Sequence, residues 1–72
     1  MVQHETRIEL IVNGRKTESA AHTLEALIEE RGLADAKVAT ALNGQFVPEA
    51  LRATTVLGGG DRVEIVSARQ GG

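Results

Sequence analysis

Two Asn-Gly pairs, at residues 13–14 and 43–44, constrain the fold of this chain more than any other feature. A type I′ turn needs positive φ at both of its central residues, and Asn followed by Gly adopts those angles readily. Residues 7–12, ahead of the first pair, largely alternate apolar and polar side chains, as a strand with one buried face does. We therefore predict a hairpin in which residues 15–18 return as a short polar strand.

The second Asn-Gly pair joins a predicted strand over residues 37–42 to a short strand over residues 45–47. Pro48 follows, and because proline has no backbone N–H to donate, the short strand is expected at a sheet edge. Three glycines and an aspartate at residues 58–61 predict a sharp reversal of the chain. Residues 62–68 alternate again and are predicted to form the last strand.

One helix is predicted over residues 24–31, where apolar side chains recur at intervals of three and four. Thr23 precedes it and is suited to accept a hydrogen bond from a free N–H of the first turn. Gly32 follows it and can adopt the left-handed conformation that ends many helices, with Leu33 supplying an apolar contact. Residues 49–56 lack such a pattern and are expected to form a loop or a weak helical turn.

The order of these elements is a hairpin, a helix, a strand pair and a final strand. It predicts an α+β fold in which one helix covers one face of a mixed sheet of four or five strands. The simplest packing sets the last strand beside the first and parallel to it, in the middle of the sheet. That arrangement is the β-grasp, or ubiquitin-like, fold. We expect residues 1–68 to form one such domain and residues 69–72 to form a flexible tail.

Composition limits the chemistry that the chain can perform by itself. The 72 residues include no cysteine, which excludes disulfides, zinc-thiolate sites and a thiol nucleophile. The net charge is −2 and Phe46 is the only aromatic residue, so the basic face and stacking surfaces typical of nucleic-acid binding are not expected. No apolar run is long enough to span a membrane and no signal peptide is recognisable, so we expect a cytoplasmic protein.

The chain ends in Gly71-Gly72. Glycine lacks a Cβ, so a terminal carboxylate on two glycines can enter a deep and narrow active site of another protein. A terminal carboxyl is ionised at neutral pH and can act as a nucleophile. These properties make Gly72 a candidate reactive group. The alternative is that the two glycines are incidental.

Five parts of the chain together carry a family resemblance. They are Val12-Asn13-Gly14, Thr23-Leu24-Glu25-Ala26-Leu27, Ala41-Leu42-Asn43-Gly44 with Val47-Pro48, Gly60-Asp61-Arg62-Val63-Glu64-Ile65-Val66, and Gly71-Gly72. Their order and spacing resemble those of the ThiS family, sulfur carrier proteins of thiamine biosynthesis within the ubiquitin-like MoaD/ThiS superfamily. The resemblance covers essentially the whole chain. It departs from the family pattern at Glu49, where a basic residue is usual, and at Gly59, where an aspartate is usual.

The resemblance implies chemistry at the C-terminus. An E1-like adenylyltransferase of the ThiF type would use ATP and Mg to adenylate the Gly72 carboxylate. A sulfur donor such as a cysteine desulfurase would replace AMP and leave a thiocarboxylate, whose sulfur passes to a thiazole synthase of the ThiG type. Arg69, Gln70 and Gly71 would thread the carboxylate into these partners. The chain would be a protein cosubstrate that binds no cofactor itself, since it has no G-x-x-x-x-G-K-[ST] motif for nucleotide.

Ile11 and Val66 are the candidates for a docking surface. Both are expected to point away from the core, on strands that are predicted to be neighbours. An apolar patch on an open sheet face can receive a partner protein, whereas scattered apolar residues are common on any surface. Both interpretations stay open from the sequence.

We predict no metal site and no catalytic group of the chain's own. His4 and His22 have no metal-ligand spacing, and Ser19 and Ser67 have no recognisable general base. Two further functions fit the same pattern. One is a carrier for another pathway, similar to the small subunit of molybdopterin synthase, and the other is a non-catalytic ubiquitin-like binding module. The first would share the terminal chemistry, and the second would bind its partners without the glycines.

Overall fold

The computed structural model describes residues 6–67, so the predicted tail lies outside the described range. The strands and the helix predicted from the sequence are confirmed, and their ends agree to within one residue. The segment expected to be a loop or a weak helical turn contains a 3₁₀ helix. The elements are β1 (Ile8–Val12), β2 (Arg15–Ser19), α1 (Leu24–Glu30), β3 (Val38–Leu42), β4 (Gln45–Val47), the 3₁₀ helix (Glu49–Thr54) and β5 (Arg62–Ser67).

The five strands form one mixed sheet in the order β2-β1-β5-β3-β4. β5 runs parallel to β1 on one side and antiparallel to β3 on the other. The last strand in sequence is therefore the central strand of the sheet. β2 and β4 are the edges, and they pair antiparallel with β1 and β3 through the two hairpins. This topology confirms the predicted β-grasp fold.

Both hairpins turn at their Asn-Gly pairs, as predicted. Asn13 and Asn43 each have φ of 51°, while Gly14 and Gly44 have φ of 83° and 86°. A type I′ turn requires positive φ at both positions, and its twist matches that of the flanking strands. The turn geometry thereby sets the register of each hairpin.

The helix α1 is capped at both ends. The Thr23 hydroxyl accepts a hydrogen bond from the Ala26 N–H at 3.1 Å, which satisfies a free donor of the first turn. At the other end, Gly32 has φ of 75° and the Leu33 N–H donates to the Ile28 carbonyl at 3.0 Å. That bond belongs to a Schellman motif, so both predicted caps are confirmed. In the described part of the chain, no helix has the length and apolar character needed to cross a membrane.

The core lies between α1 and the inner face of the sheet. Phe46 is 69% exposed and stays outside it, so the core within residues 6–67 contains only aliphatic apolar side chains, as the composition indicates. Burial of this surface is the main source of stability for so small a domain. The buried apolar residues are Leu10, Val12, Ala21, Leu24, Leu27, Ile28, Val47, Leu57, Val63 and Ile65.

A buried arginine ties the 3₁₀ helix to the sheet. Arg52 is 7% exposed; it donates from Nε to the Thr40 hydroxyl at 3.2 Å and from Nη2 to the Val38 carbonyl at 2.7 Å. Thr40 in turn donates to the Val47 carbonyl at 2.8 Å. Buried polar groups are costly unless they are hydrogen-bonded, and these bonds meet that requirement. They hold the 3₁₀ helix against β3 and β4.

Candidate functional site

The face of the sheet opposite α1 carries the candidate docking residues. Burial alternates along β5, with Val63 and Ile65 buried and Val66 59% exposed. In β1, Ile11 is half-buried between two buried neighbours. The structure thus places both candidates away from the centre of the core and on adjacent strands, as the sequence indicates.

The strand register separates these two candidates along the sheet. Ile11 pairs with Arg62, which precedes Val66 by four residues. At about 3.3 Å per residue, the two apolar side chains stand roughly 13 Å apart along the strand direction. The two side chains therefore do not touch each other, although they lie on the same face of the sheet. The sequence predicts that the strands are neighbours but does not reveal this offset.

Val66 belongs instead to a patch that spans β3, β4 and β5. Its strand partner is Ala39, and Ala41, two residues further along β3, pairs with Phe46. Each of the four side chains stands beside a buried neighbour in its strand and so points to the face opposite α1. We call these four residues the apolar patch. The sequence interpretation missed Phe46, although its position next to Val47 in an alternating strand was an available signal.

Charged side chains accompany the apolar residues of this face. Lys16 and Arg62 are the strand partners of Ile11, so a cation lies on each side of that residue. Glu64 is the strand partner of Ala41 and adjoins the apolar patch. Such a surface suits a protein partner, because apolar contacts supply affinity while charges select orientation and speed association.

The apolar patch adjoins the end of β5. Val66 is followed by Ser67, which pairs with Val38 and is the last residue that the structure describes. Val66 therefore lies three residues before the predicted tail, which begins at Arg69. Four predicted site residues lie outside the described range: Arg69, Gln70, Gly71 and Gly72.

The two turn asparagines bind the central strand with their side chains. The Asn13 carboxamide accepts from the Ile65 N–H at 2.8 Å and donates to the Ile65 carbonyl at 3.1 Å. The Asn43 carboxamide accepts from the Arg62 N–H at 2.9 Å and donates to the Asp61 carboxylate at 3.1 Å. Each hairpin turn is thus fastened to one half of β5. The sequence predicts the turns but not these bonds.

Ser19 has a structural role. It is fully buried, its hydroxyl donates to the Glu30 carboxylate at 2.6 Å, and it accepts from the Ala21 N–H at 3.0 Å. These bonds fix the connection between β2 and α1. Among residues 6–67, no group of three His, Cys, Asp or Glu side chains could hold a metal ion.

A polar groove of about 470 Å³ lies on the helix side of the sheet. Its charged lining mixes both signs: Glu25, Asp35 and Glu49 are acidic, and Lys37 and Arg52 are basic. Glu49, one of the two departures from the family pattern, therefore lies away from the apolar patch, which is on the opposite face. Its reversed charge leaves that patch unchanged.

A family model and a solved structure agree on one family. The ThiS family model matches residues 8–72. The structure is similar to the crystal structure of a thiamine biosynthesis protein (ThiS) from Geobacter metallireducens, with a TM-score of 0.77 and 26% identity, over 90% of this chain and 100% of that chain. The sequence is 38% identical over 66 residues to a thiazole synthase of Paramagnetospirillum magneticum. That match covers 90% of this chain and 20% of the synthase, so the chain spans about a fifth of that relative's length.

Proposed function

The chain belongs to the ThiS family, and from this premise we propose that it is a sulfur carrier protein of thiamine biosynthesis. The sulfur that it carries is destined for the thiazole moiety. The family match over residues 8–72 carries the proposal, because it includes both the fold and the two terminal glycines. The likeness to the Geobacter protein, which extends over the whole of that chain, supports it.

The proposed chemistry takes place at the Gly72 carboxylate. One carboxylate oxygen attacks the α-phosphorus of ATP, the bond from that phosphorus to the bridging oxygen breaks, and pyrophosphate leaves. The resulting acyl-adenylate is a mixed anhydride, so sulfide sulfur can attack its carbonyl carbon and expel AMP. The product is a C-terminal thiocarboxylate. If the donor is instead a persulfide, of the kind that a cysteine desulfurase provides, its attack on the acyl-adenylate gives an acyl disulfide. A thiol then reduces this acyl disulfide, which releases the thiocarboxylate and leaves a disulfide between the donor and the thiol.

The catalytic groups for these steps belong, in this proposal, to partner proteins. An E1-like adenylyltransferase of the ThiF type supplies the ATP and Mg sites, and a thiazole synthase of the ThiG type receives the sulfur. The chain itself is a cosubstrate. The similarity to one fifth of a protein named thiazole synthase supports a functional link between this domain and that activity. Residues 69–72, when extended, reach roughly 13 Å, enough to carry the carboxylate into a partner that docks on the sheet.

The apolar patch is the proposed docking surface for the activating enzyme, with Ile11 as a second contact. Val66→Glu should raise the KM for the chain in adenylation about tenfold, because a carboxylate would have to be desolvated against an apolar partner surface. The kcat should change little, since Gly72 is untouched. Steady-state release of pyrophosphate measures both constants.

Val56→Glu is the matched control for this substitution. Val56 is 71% exposed, but it lies outside the sheet, where it bridges to Thr23 ahead of α1. The substitution introduces the same charge at an exposed valine and should leave the KM unchanged. Equal KM values for the two variants would exclude the apolar patch from the docking surface.

Mass spectrometry tests the proposed function itself. The chain is incubated with a ThiF-type enzyme, Mg-ATP and sulfide, and its mass should rise by the difference between sulfur and oxygen. No mass gain, with an enzyme that converts an authentic ThiS protein in parallel, would contradict a sulfur carrier function. Complementation of thiamine auxotrophs and molybdenum-cofactor auxotrophs then separates this pathway from one of the molybdopterin type.

A further inference from the structure

The ladder between β1 and β5 is continued by a side chain. The two strands pair at Ile11 with Arg62 and at Val12 with Val63, and the Asn13 N–H donates to the Val63 carbonyl at 2.9 Å. There the backbone of β1 turns away into the first hairpin. The next residue of β5 that faces this side is Ile65. Its N–H and its carbonyl are both bound by the Asn13 carboxamide.

A carboxamide presents an acceptor oxygen and a donor N–H along one edge, so it can bind the N–H and the carbonyl of one residue at the same time. The Asn13 side chain therefore supplies the bonds that a longer β1 would have made, on the side of β5 that the hairpin has left. Without it, the N–H and carbonyl of Ile65 would lose their partners in a partly buried position. Ile65 would then keep its pairing with Thr40 of β3 but lose both bonds on its other side.

The local turn does not require this particular side chain. Glycine satisfies the φ of 51° at residue 13 at least as well as asparagine does. Aspartate tolerates the same angle, but it has no donor for the Ile65 carbonyl. Asparagine satisfies both the turn and the two bonds to Ile65, which lies 52 residues away in sequence.

We propose that Asn13 is a positioning residue, which fixes the direction in which the chain leaves the sheet toward the Gly72 carboxylate. The inference rests on the proposed function, in which an activating enzyme must receive that carboxylate in one geometry. Val66 of the apolar patch follows Ile65 directly, so the two Asn13 bonds also hold the strand segment that carries this docking residue. Reactions between bound groups are sensitive to displacements of about 1 Å, which can cost a factor of roughly one hundred.

The variants Asn13→Gly and Asn43→Gly form a matched pair. The two asparagines occupy equivalent positions in type I′ turns with the same φ, and each makes two side-chain bonds at β5 or its first flanking residue. Glycine preserves both turns and removes both pairs of bonds. Each variant loses two hydrogen bonds, which are part-buried for Asn13 and exposed for Asn43. Asn13 acts on the second half of β5, and Asn43 acts at its first residue and the residue before it.

Two measurements are made on each variant at a temperature at which it is fully folded. The first is amide hydrogen exchange by NMR, which needs no partner. The second is the kcat/KM of adenylation with a ThiF-type enzyme. Asn13→Gly should accelerate exchange at Ile65 and lower kcat/KM about tenfold or more. Asn43→Gly should accelerate exchange at Arg62 and leave kcat/KM within about twofold of the unmodified chain.

Equal losses of kcat/KM in the two variants would overturn the inference, because general destabilisation would then explain both. Unchanged kcat/KM in Asn13→Gly would overturn it as well, even with faster exchange at Ile65. If the unmodified chain is itself not adenylated, the proposed function fails and the role of Asn13 in the reaction fails with it. The exchange data would still show whether Asn13 clamps Ile65, so the two failures are distinguishable.

Discussion

Deletion of Gly72 should abolish formation of the thiocarboxylate while leaving the fold unchanged. The truncated chain still ends in a glycine carboxylate, but that group lies about 3.5 Å short of its former reach. Attack on ATP needs the carboxylate oxygen within about 3.5 Å of the α-phosphorus. A chain that is one residue too short cannot bring these two atoms together. We expect a loss of at least about one hundredfold in the rate of adenylation, measured as pyrophosphate release and as mass gain with sulfide.

The truncated chain also provides an internal control for docking. The apolar patch and every described contact are unaffected by the deletion, because β5 ends at Ser67. The chain without Gly72 should therefore inhibit adenylation of the complete chain by competition, and its far-UV circular dichroism should match that of the complete chain. Undiminished activation of the truncated chain would show that Gly72 is not the reactive residue.

Leu27→Ala should remove a large part of the domain's free energy of unfolding and lower its urea midpoint well below that of the unmodified chain. Leu27 is fully buried at the centre of the stripe that α1 presents to the sheet. Replacement of a buried leucine by alanine costs about 2–5 kcal/mol. A domain of this size has a total stability of only about 4–11 kcal/mol. Because alanine is the best helix former, the loss reports the cavity and not the helix propensity.

Leu51→Ala is the matched control for the core substitution. Leu51 lies in the 3₁₀ helix and is 53% exposed, so the same change should cost less than about 1 kcal/mol. Urea unfolding followed by far-UV circular dichroism measures both variants, since the chain has no tryptophan or tyrosine to report by fluorescence. Similar midpoints for the two variants would contradict the assignment of the core.

Local sequence patterns are sufficient to predict most of the fold. The two Asn-Gly turns, the alternation in the strands and the Thr23 and Gly32 caps each act over a few residues, so they can be read directly from the chain. The central place of β5 is the simplest packing of these elements in a sheet that one helix covers. Contacts between distant residues are different, because nothing near Asn13 in sequence indicates that its side chain binds Ile65.

In the candidate site too, local features can be predicted from the sequence and contacts between distant residues cannot. The sequence identifies Val66 as an outward-facing residue. Its offset from Ile11 depends on the register between β1 and β5, which are far apart in the sequence. Arg52 illustrates the limit in the core, where a charged side chain in an expected loop is buried by its bonds to Thr40 and Val38. Phe46 could have been assigned to the surface from its alternation with Val47, since that signal is local.

Because the last strand of the chain is central in the sheet, the surface that partners would bind forms only late in synthesis. A ribosome that has released residues 1–60 has made the residues of both hairpins and α1, but not those of the strand that joins them. Pairing across so many residues is slow compared with formation of a hairpin, so closure of the core is the late step. Val66 arrives only with that closure. A half-made chain therefore cannot present the apolar patch, and the surface for partners forms in the same event that completes the sheet.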